Sequence, residues 1–376
     1  MDKKKIRLVY FGVKYYPSRG GVSRTIENLI KELKDEFDIT IYCYKHSQSK
    51  KYFDGVSVIQ FPELPLGGIG VFIYFFLCYF HLMFFGKHDL VHVHKIDAAF
   101  FIPLLRLKFK NIVATSHESP YRRDKWNTLA RTYFKFNERI FLRSKATLTV
   151  ISRPLSEFYK KTYNRDVLYL PNGVEIPSSF NDEAFQKLMK ENNITKPYIF
   201  FAARRIMSTK GCHTMLEALA LKKEQKDIVI AGDLKQVPKY VNQLNAYNDR
   251  LNLHFIGYIS DKPTLLNIVR NSEMFIFPSE TEGMSIMLLE VAVTGTPIIA
   301  SDIPENTAII YDDEVVFFKD KDPYDLKEKL VWAENNPSEL TKRAAKAKTR
   351  ITNEYSGEIM TLNYKKIYID AVSFKT

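Results

Sequence analysis

Twice along its length, the sequence alternates between short runs of core-type residues and segments with apolar side chains at helical spacing. "IRLVYFGV" (6–13) reads as a strand, and the next segment carries Val22, Ile26, Leu29, Ile30 and Leu33 on one helical face. "DITIYCY", "VSVIQF", "DLVHVH", "NIVATSHE" and "ATLTVIS" read as further strands, with helical patterns over 71–85, 98–107 and 127–143. Strands that are apolar throughout and separated by helices require a parallel sheet covered on both faces. The alternation stops at "YLPNGVEIPSSF" (169–180), where two prolines, Asn172, Gly173 and two serines collect. It restarts with "YIFFAAR", helix 212–222, "DIVIAGD", helix 237–248, "LNLHFIGY", helix 263–271, "MFIFPS", helix 284–294 and "TPIIASD", and residues 338–373 read as two more helices.

The expected architecture is therefore α/β, with two doubly wound Rossmann-like domains facing a central cleft. Residues 1–170 form the first domain, 171–177 a hinge and 178–355 the second domain, and a last helix over 356–376 packs back on the first. A chain of 376 residues is long enough to bury two such cores. In open parallel sheets, ligands lie beyond the carboxyl ends of the strands, so the loops after strands are where chemistry is expected.

Cys43, Cys78 and Cys212 are scattered, with no CxxC pair, which argues against a disulfide framework and for a cytoplasmic setting. The basic start runs into a short apolar stretch broken by Arg7 and reads as a first strand rather than a signal peptide. A net charge of +12 implies an anionic partner: nucleic acid, a phosphorylated small molecule or an acidic membrane leaflet. No nucleic-acid-binding module is recognisable and the lysines are dispersed, so no nucleic acid is expected. "VFIYFFLCYFHLMFF" (71–85) is shorter than the roughly 20 residues of a membrane span. It reads first as a buried or partly buried helix, then as a helix lying on a membrane surface, and only last as a span.

Three stretches carry candidate chemistry. In "RRIMSTKG" (204–211), Arg205 and Lys210 lie at the carboxyl end of a strand and before a helix, where two cations suit a diphosphate; a solvated basic loop is the plain alternative. In "PSRGGVSR" (17–24), Gly20 and Gly21 join a strand to a helix, either as a bare turn or as backbone that approaches a ligand. In "FPSETEGMSIMLLEVAV", Glu282 is expected at a helix start near Gly283, and Glu290 two turns on, about 80° round the helix. The N–H groups of Gly283, Met284 and Ser285 would then face an anion or a hydroxyl, although an acidic residue at a helix start is also a good cap. Glu290, among leucines and valines, is costly unless it is paired. His92 and His94 share a strand face near His88 without a carboxylate at ligand spacing, so packing and a cleft-lining role are favoured over zinc. "DKD" (320–322) reads as helix-capping aspartates rather than a metal pair.

The Glu282-x7-Glu290 spacing between "FPS" and "GTPIIASD" resembles the signature of the retaining nucleotide-sugar glycosyltransferases of family 4, which have the GT-B architecture. "RRIMSTKGCHTMLEAL" is similar to that family's donor-diphosphate loop, "LPNGVE" to its interdomain hinge and "YYPSRGGVSR" to its amino-terminal glycine loop. The resemblance spans nearly the whole chain and implies roles for particular residues. Arg205 and Lys210 would stabilise the leaving diphosphate without a metal or other cofactor. Glu290 would accept from the ribose, Glu282 and the Gly283–Met284–Ser285 backbone would hold sugar hydroxyls, and Gly20 and Gly21 would approach the phosphate or sugar. Gly257 and Tyr258 would pass near the base, and His117 in "TSHESPY" would face the donor sugar at the reaction centre. Arg204 stands where the family usually has glycine, and the spacing to Lys210 selects Arg205 as the phosphate ligand.

The implied function is hexosyl transfer, with retention, from a nucleoside diphosphate sugar to a glycan or lipid-linked acceptor in the assembly of bacterial surface polysaccharide such as lipopolysaccharide or capsule. An anionic membrane surface is a further expected partner, with the enzyme peripheral on the inner face. An epimerase or phosphorylase of the same fold, and a non-enzymatic basic nucleic-acid-binding protein, are the alternatives.

Overall fold

A computed structural model describes residues 5–17, 20–45, 55–122, 126–194 and 197–373. The chain divides into two compact units, Met1–Gly173 with Gly357–Thr376, and Val174–Ser356.

The first unit is built on seven parallel strands: β1 (Ile6–Phe11), β2 (Phe37–Tyr44), β3 (Val56–Phe61), β4 (Leu90–His94), β5 (Ile112–Ser116), β6 (Thr147–Val150) and β7 (Leu168–Tyr169). They lie in the order β3-β2-β1-β4-β5-β6-β7, so the winding reverses between β1 and β4. The helices are α1 (Gly21–Leu33), α2 (Gly67–Phe85), α3 (Ile102–Leu105), α4 (Thr128–Arg143) and α5 (Arg153–Tyr163). α1 buries Ile26, Leu29, Ile30 and Leu33, the apolar stripe read from the sequence. The single helix expected over 98–107 is instead a 3-10 stretch, Ile96–Phe101, followed by the short α3, which has Pro103 in its first turn. α5 and β7 were not anticipated; each is short, and α5 carries few apolar residues.

α2 has two faces. Tyr74, Phe75, Cys78 and Leu82 are buried in the core, and Tyr74 donates to the Val13 carbonyl at 2.5 Å. Phe76, Phe80, Phe84 and Phe85 are exposed, each by about half or more (48%, 49%, 67% and 68%). The helix is long and apolar enough to cross a membrane by length and composition, yet its inner face is fixed to the sheet.

The second unit has six parallel strands: β8 (Tyr198–Arg205), β9 (Asp227–Asp233), β10 (Asn252–Gly257), β11 (Met274–Phe277), β12 (Ile298–Ser301) and β13 (Val316–Phe318). Their order, β10-β9-β8-β11-β12-β13, reverses between β8 and β11. The helices are α6 (Asp182–Glu191), α7 (Cys212–Lys222), α8 (Pro238–Asn245), α9 (Lys262–Asn271), α10 (Ile286–Thr294), α11 (Pro304–Thr307), α12 (Pro323–Asn335) and α13 (Pro337–Glu354). α6, α11 and β13 were not anticipated. Short polar residues start several of these helices: Asn181, Asp261 and Asp322 each accept from an N–H of the first turn. Asp322 of "DKD" is thus a cap.

The last helix, α14 (Gly357–Ser373), belongs to the first unit. It inserts Met360, Tyr364 and Tyr368 into the core formed by β1, α1 and β2.

Candidate functional site

In the second unit, the loops that follow β8 and β11 leave the sheet at the point where its winding reverses, the position at which open parallel sheets present ligands. Arg205, expected on the loop, is the last residue of β8 and is exposed. It lies in register with Asp233, whose carboxyl is held below its ordinary range chiefly by the Lys235 N–H, with Gln236 and the Arg205 charge adding. Arg204 is exposed as well. Lys210 closes a 3-10 turn, and Gly211 then enters α7 with φ of 66°. A Cβ on Gly211 would stand 1.8 Å from the Pro278 carbonyl oxygen, so only glycine lets the two loops meet. The Glu280 N–H donates to the Thr209 carbonyl at 3.1 Å, and Lys210 Nζ donates to Glu282 Oε1 at 2.6 Å. Two residues singled out separately in the sequence, 72 positions apart, therefore form one ion pair.

The second glutamate of the motif is buried, 2% exposed, and lies 3.2 Å from Lys262 Nζ, which also approaches Glu175 at 3.6 Å. Lys262 is the first residue of α9, behind the Asp261 cap. It was missed because nothing in "DKPTLL" marks the lysine as different from a surface one. Glu280, also passed over, faces His213 Nε2 at 3.6 Å and Lys321 Nζ at 3.4 Å.

The helix bearing Glu290 begins later than expected. Ser285 Oγ accepts from the Leu288 N–H at 3.3 Å, so Ser285 is the cap and Ile286 the first helical residue. Glu282 thus sits in the preceding loop rather than at the helix start, and no helical rotation relates it to Glu290. Gly283 is half-buried, while Met284 and Ser285 are buried. Gly257 ends β10 with φ of 73°, and Tyr258 beyond it is exposed.

The first unit repeats the device seen at Gly211. Gly12, with φ of 92°, follows β1, and a Cβ there would stand 2.2 Å from the His94 carbonyl oxygen at the end of β4. Gly20 and Gly21 are different. Gly20 is extended, a conformation open to any residue, and a Cβ on Gly21 would meet no atom within 4 Å. The backbone conformation of the turn into α1 therefore does not itself require this glycine pair. The pair leaves the start of α1 bare of side chains, with Ser18 and Arg19 outside the described residues.

His117 follows β5 and is 6% exposed. Its Nε2 lies 3.0 Å from Nδ1 of the fully buried His94. His92 is held by Tyr368 Oη on Nδ1 at 2.6 Å and by Thr115 Oγ1 on Nε2 at 2.7 Å. Burial pushes His117 down to about 3, aided by the Lys95 charge, and holds His92 and His94 well below the usual imidazole range, so all three rings are neutral. The loop after His117 is anchored by Glu138 of α4, a fully buried carboxylate that accepts from Ser119 Oγ (2.7 Å), Tyr121 Oη (2.8 Å), Tyr159 Oη (2.8 Å) and Tyr163 Oη (3.4 Å). Among the described residues, no three His, Cys, Asp or Glu side chains are grouped to hold a metal ion.

Two family profiles match the chain: "Glycosyltransferase Family 4" over residues 19–176 and "Glycosyl transferases group 1" over residues 184–350. An uncharacterized glycosyltransferase of Methanocaldococcus jannaschii is 22% identical over 97% of this chain and 98% of its own. The Escherichia coli UDP-Gal:alpha-D-GlcNAc-diphosphoundecaprenol alpha-1,3-galactosyltransferase is 23% identical over 98% of both. Among solved structures, Anabaena HepE in complex with UDP and glucose superposes with a TM-score of 0.79 at 15% identity, over 97% of this chain and 100% of that one. With paired parallel-sheet units and both family profiles spread over most of its length, the chain belongs to the family 4 glycosyltransferases of GT-B architecture.

Proposed function

We propose that this glycosyltransferase moves a hexose from a nucleoside diphosphate sugar to a hydroxyl of a lipid-linked glycan, with retention of anomeric configuration and without a metal, in the assembly of bacterial surface polysaccharide. The observation that carries the reading is the meeting of Lys210 with Glu282 where the second sheet reverses, on the loop that leaves β8 directly after its last residue, Arg205. Lys210 has three N–H donors and spends one on Glu282, leaving two for phosphate oxygens. Arg205 adds a planar fork suited to a second phosphate. As the bond from the anomeric carbon to the diphosphate breaks, charge grows on the departing oxygen beside these cations. The acceptor oxygen bonds to the anomeric carbon on the same face, and its proton passes to the departing phosphate. Glu282 with the Gly283–Met284–Ser285 backbone holds sugar hydroxyls, Glu290 holds the ribose, Tyr258 and Gly257 border the base, and the bare start of α1 at Gly20 and Gly21 meets the phosphate or sugar. His117 meets the sugar as a neutral ring.

The lipid-linked acceptor is supported by the relative named for a diphosphoundecaprenol substrate and by the exposed row Phe76, Phe80 and Phe84 on α2. An apolar stripe on a basic protein suits contact with an anionic leaflet from the cytoplasmic side. Incubating the protein with a panel of nucleotide sugars tests the reading: release of nucleoside diphosphate and thermal stabilisation by one donor are expected, and silence with all of them would overturn it. Nuclear magnetic resonance of the product reads retention directly. Flotation with anionic liposomes, lost on substituting Phe76, Phe80 and Phe84 together by serine, tests the membrane contact.

A further inference from the structure

The histidines of the first unit form a chain that sugar transfer alone does not explain. His94 is completely buried, its Nδ1 lies 3.0 Å from His117 Nε2, and its own Nε2 is buried with no hydrogen-bond partner. His94 and His92 alternate on β4, so they share a face of the sheet, and their ring centroids lie 3.8 Å apart. His92 has both nitrogens engaged, so the orphaned atom is confined to His94.

A neutral imidazole carries one N–H, so the 3.0 Å contact admits two arrangements. If His94 is protonated on Nε2, that buried N–H has no acceptor and the ring forfeits its only donor bond. If it is protonated on Nδ1, the N–H is used on His117 and only a lone pair is left idle. Buried orphan donors are the rarer and costlier defect. We infer that His94 is a positioning residue that donates its Nδ1 proton to His117 Nε2 and thereby fixes His117 as the tautomer protonated on Nδ1. The hydrogen bond made by one ring nitrogen decides the state of the other. His117 then offers an N–H donor, on Nδ1, to an oxygen of its substrate. This last consequence rests on the proposed role of His117 in sugar transfer; the tautomer itself does not.

Long-range proton–nitrogen spectra of the full-length protein labelled with 15N-histidine, recorded at pH 7, test the inference. His117 is expected to show a protonated Nδ1 and a bare Nε2. In His94→Phe that pattern should shift toward the Nε2-protonated form, and His94→Asn, which keeps a donor near the Nδ1 position, should restore it. A protonated Nε2 on His117 in the unsubstituted protein overturns the inference whether or not the variants fold. With a donor identified, kcat of His94→Phe should fall roughly tenfold or more with little change in donor KM. An unchanged kcat alongside the expected tautomer would overturn only the substrate contact. Failure of every nucleotide sugar to react leaves the spectra decisive.

Discussion

Glu290 Oε1 and Lys262 Nζ lie 3.2 Å apart, joining a carboxylate about one turn inside α10 to the first residue of α9. The carboxylate is all but inaccessible, and the lysine side chain is 21% exposed. Removing Lys262 takes away the cation that faces the buried Glu290 carboxylate, whereas the lysine itself also has Glu175 within 3.6 Å. Lys262→Ala is therefore expected to cost about 3 kcal/mol in urea unfolding. Lys262→Met combined with Glu290→Met should recover most of that loss while nucleotide binding stays impaired. A cost near zero for the single substitution would mean that Glu290 is held by other groups.

Gly211 and Gly257 share left-handed backbone but differ in their surroundings. A Cβ on Gly211 meets the Pro278 carbonyl, whereas one on Gly257 meets no atom within 4 Å. Gly257→Ala should cost about 1 kcal/mol from conformation alone. Gly211→Ala should cost about 3 kcal/mol or more and abolish donor-dependent stabilisation, because the two loops must part. Thermal melts with and without donor read both effects.

Glu138 has four hydroxyls around it, and substitution should grade with their distances. Glu138→Gln loses charge-assisted bonds and is expected to destabilise by about 2 kcal/mol. Tyr159→Phe, which removes a 2.8 Å bond, should cost more than Tyr163→Phe, which removes one of 3.4 Å. Chemical denaturation of the three variants checks the order.

The buried histidines make the protein sensitive to acid. Burial pushes His117 down to about 3 and His88 down to about 4, and holds His92 and His94 well below the usual range. An unfolded imidazole takes up its proton near pH 6.5. Below that pH the unfolded chain binds protons that the folded chain refuses, so stability is full above about 6.5 and falls as the pH drops toward the folded values. Each histidine contributes a slope of about 1.4 kcal/mol per pH unit in that window. Urea unfolding at pH 7, 6 and 5 should show a combined fall of several kcal/mol, and His117→Gln should remove one histidine's share of the slope.

Most of the fold was legible because apolar strands and amphipathic helices of ordinary length signal themselves. The elements that escaped are short or polar, such as β7 with two residues and α6 with its charged face. Arg205, Lys210 and Glu282 could be read one at a time, but the 2.6 Å bond between Lys210 and Glu282 follows from two loops leaving neighbouring strands. Lys262 and Glu138 gave no local signal, and the alternation of His92 and His94 marked a strand face without showing the contact of His94 with His117, since each takes its meaning from a residue on another element. The start of α10 was set too early because Glu282 looked like a cap, whereas Ser285 makes the capping bond.

The return of α14 to the first unit bears on the order in which the protein is made. Tyr364 and Tyr368 close over Leu8 and Tyr10, and Tyr368 bonds His92, so this core is completed by side chains translated some 350 residues after its first strand. The second unit is one continuous stretch and can close as soon as it has left the ribosome. The first unit, although begun earlier, keeps an apolar surface on β1 and α1 uncovered until the final helix arrives. The half of the molecule synthesised first is thus the last to be finished.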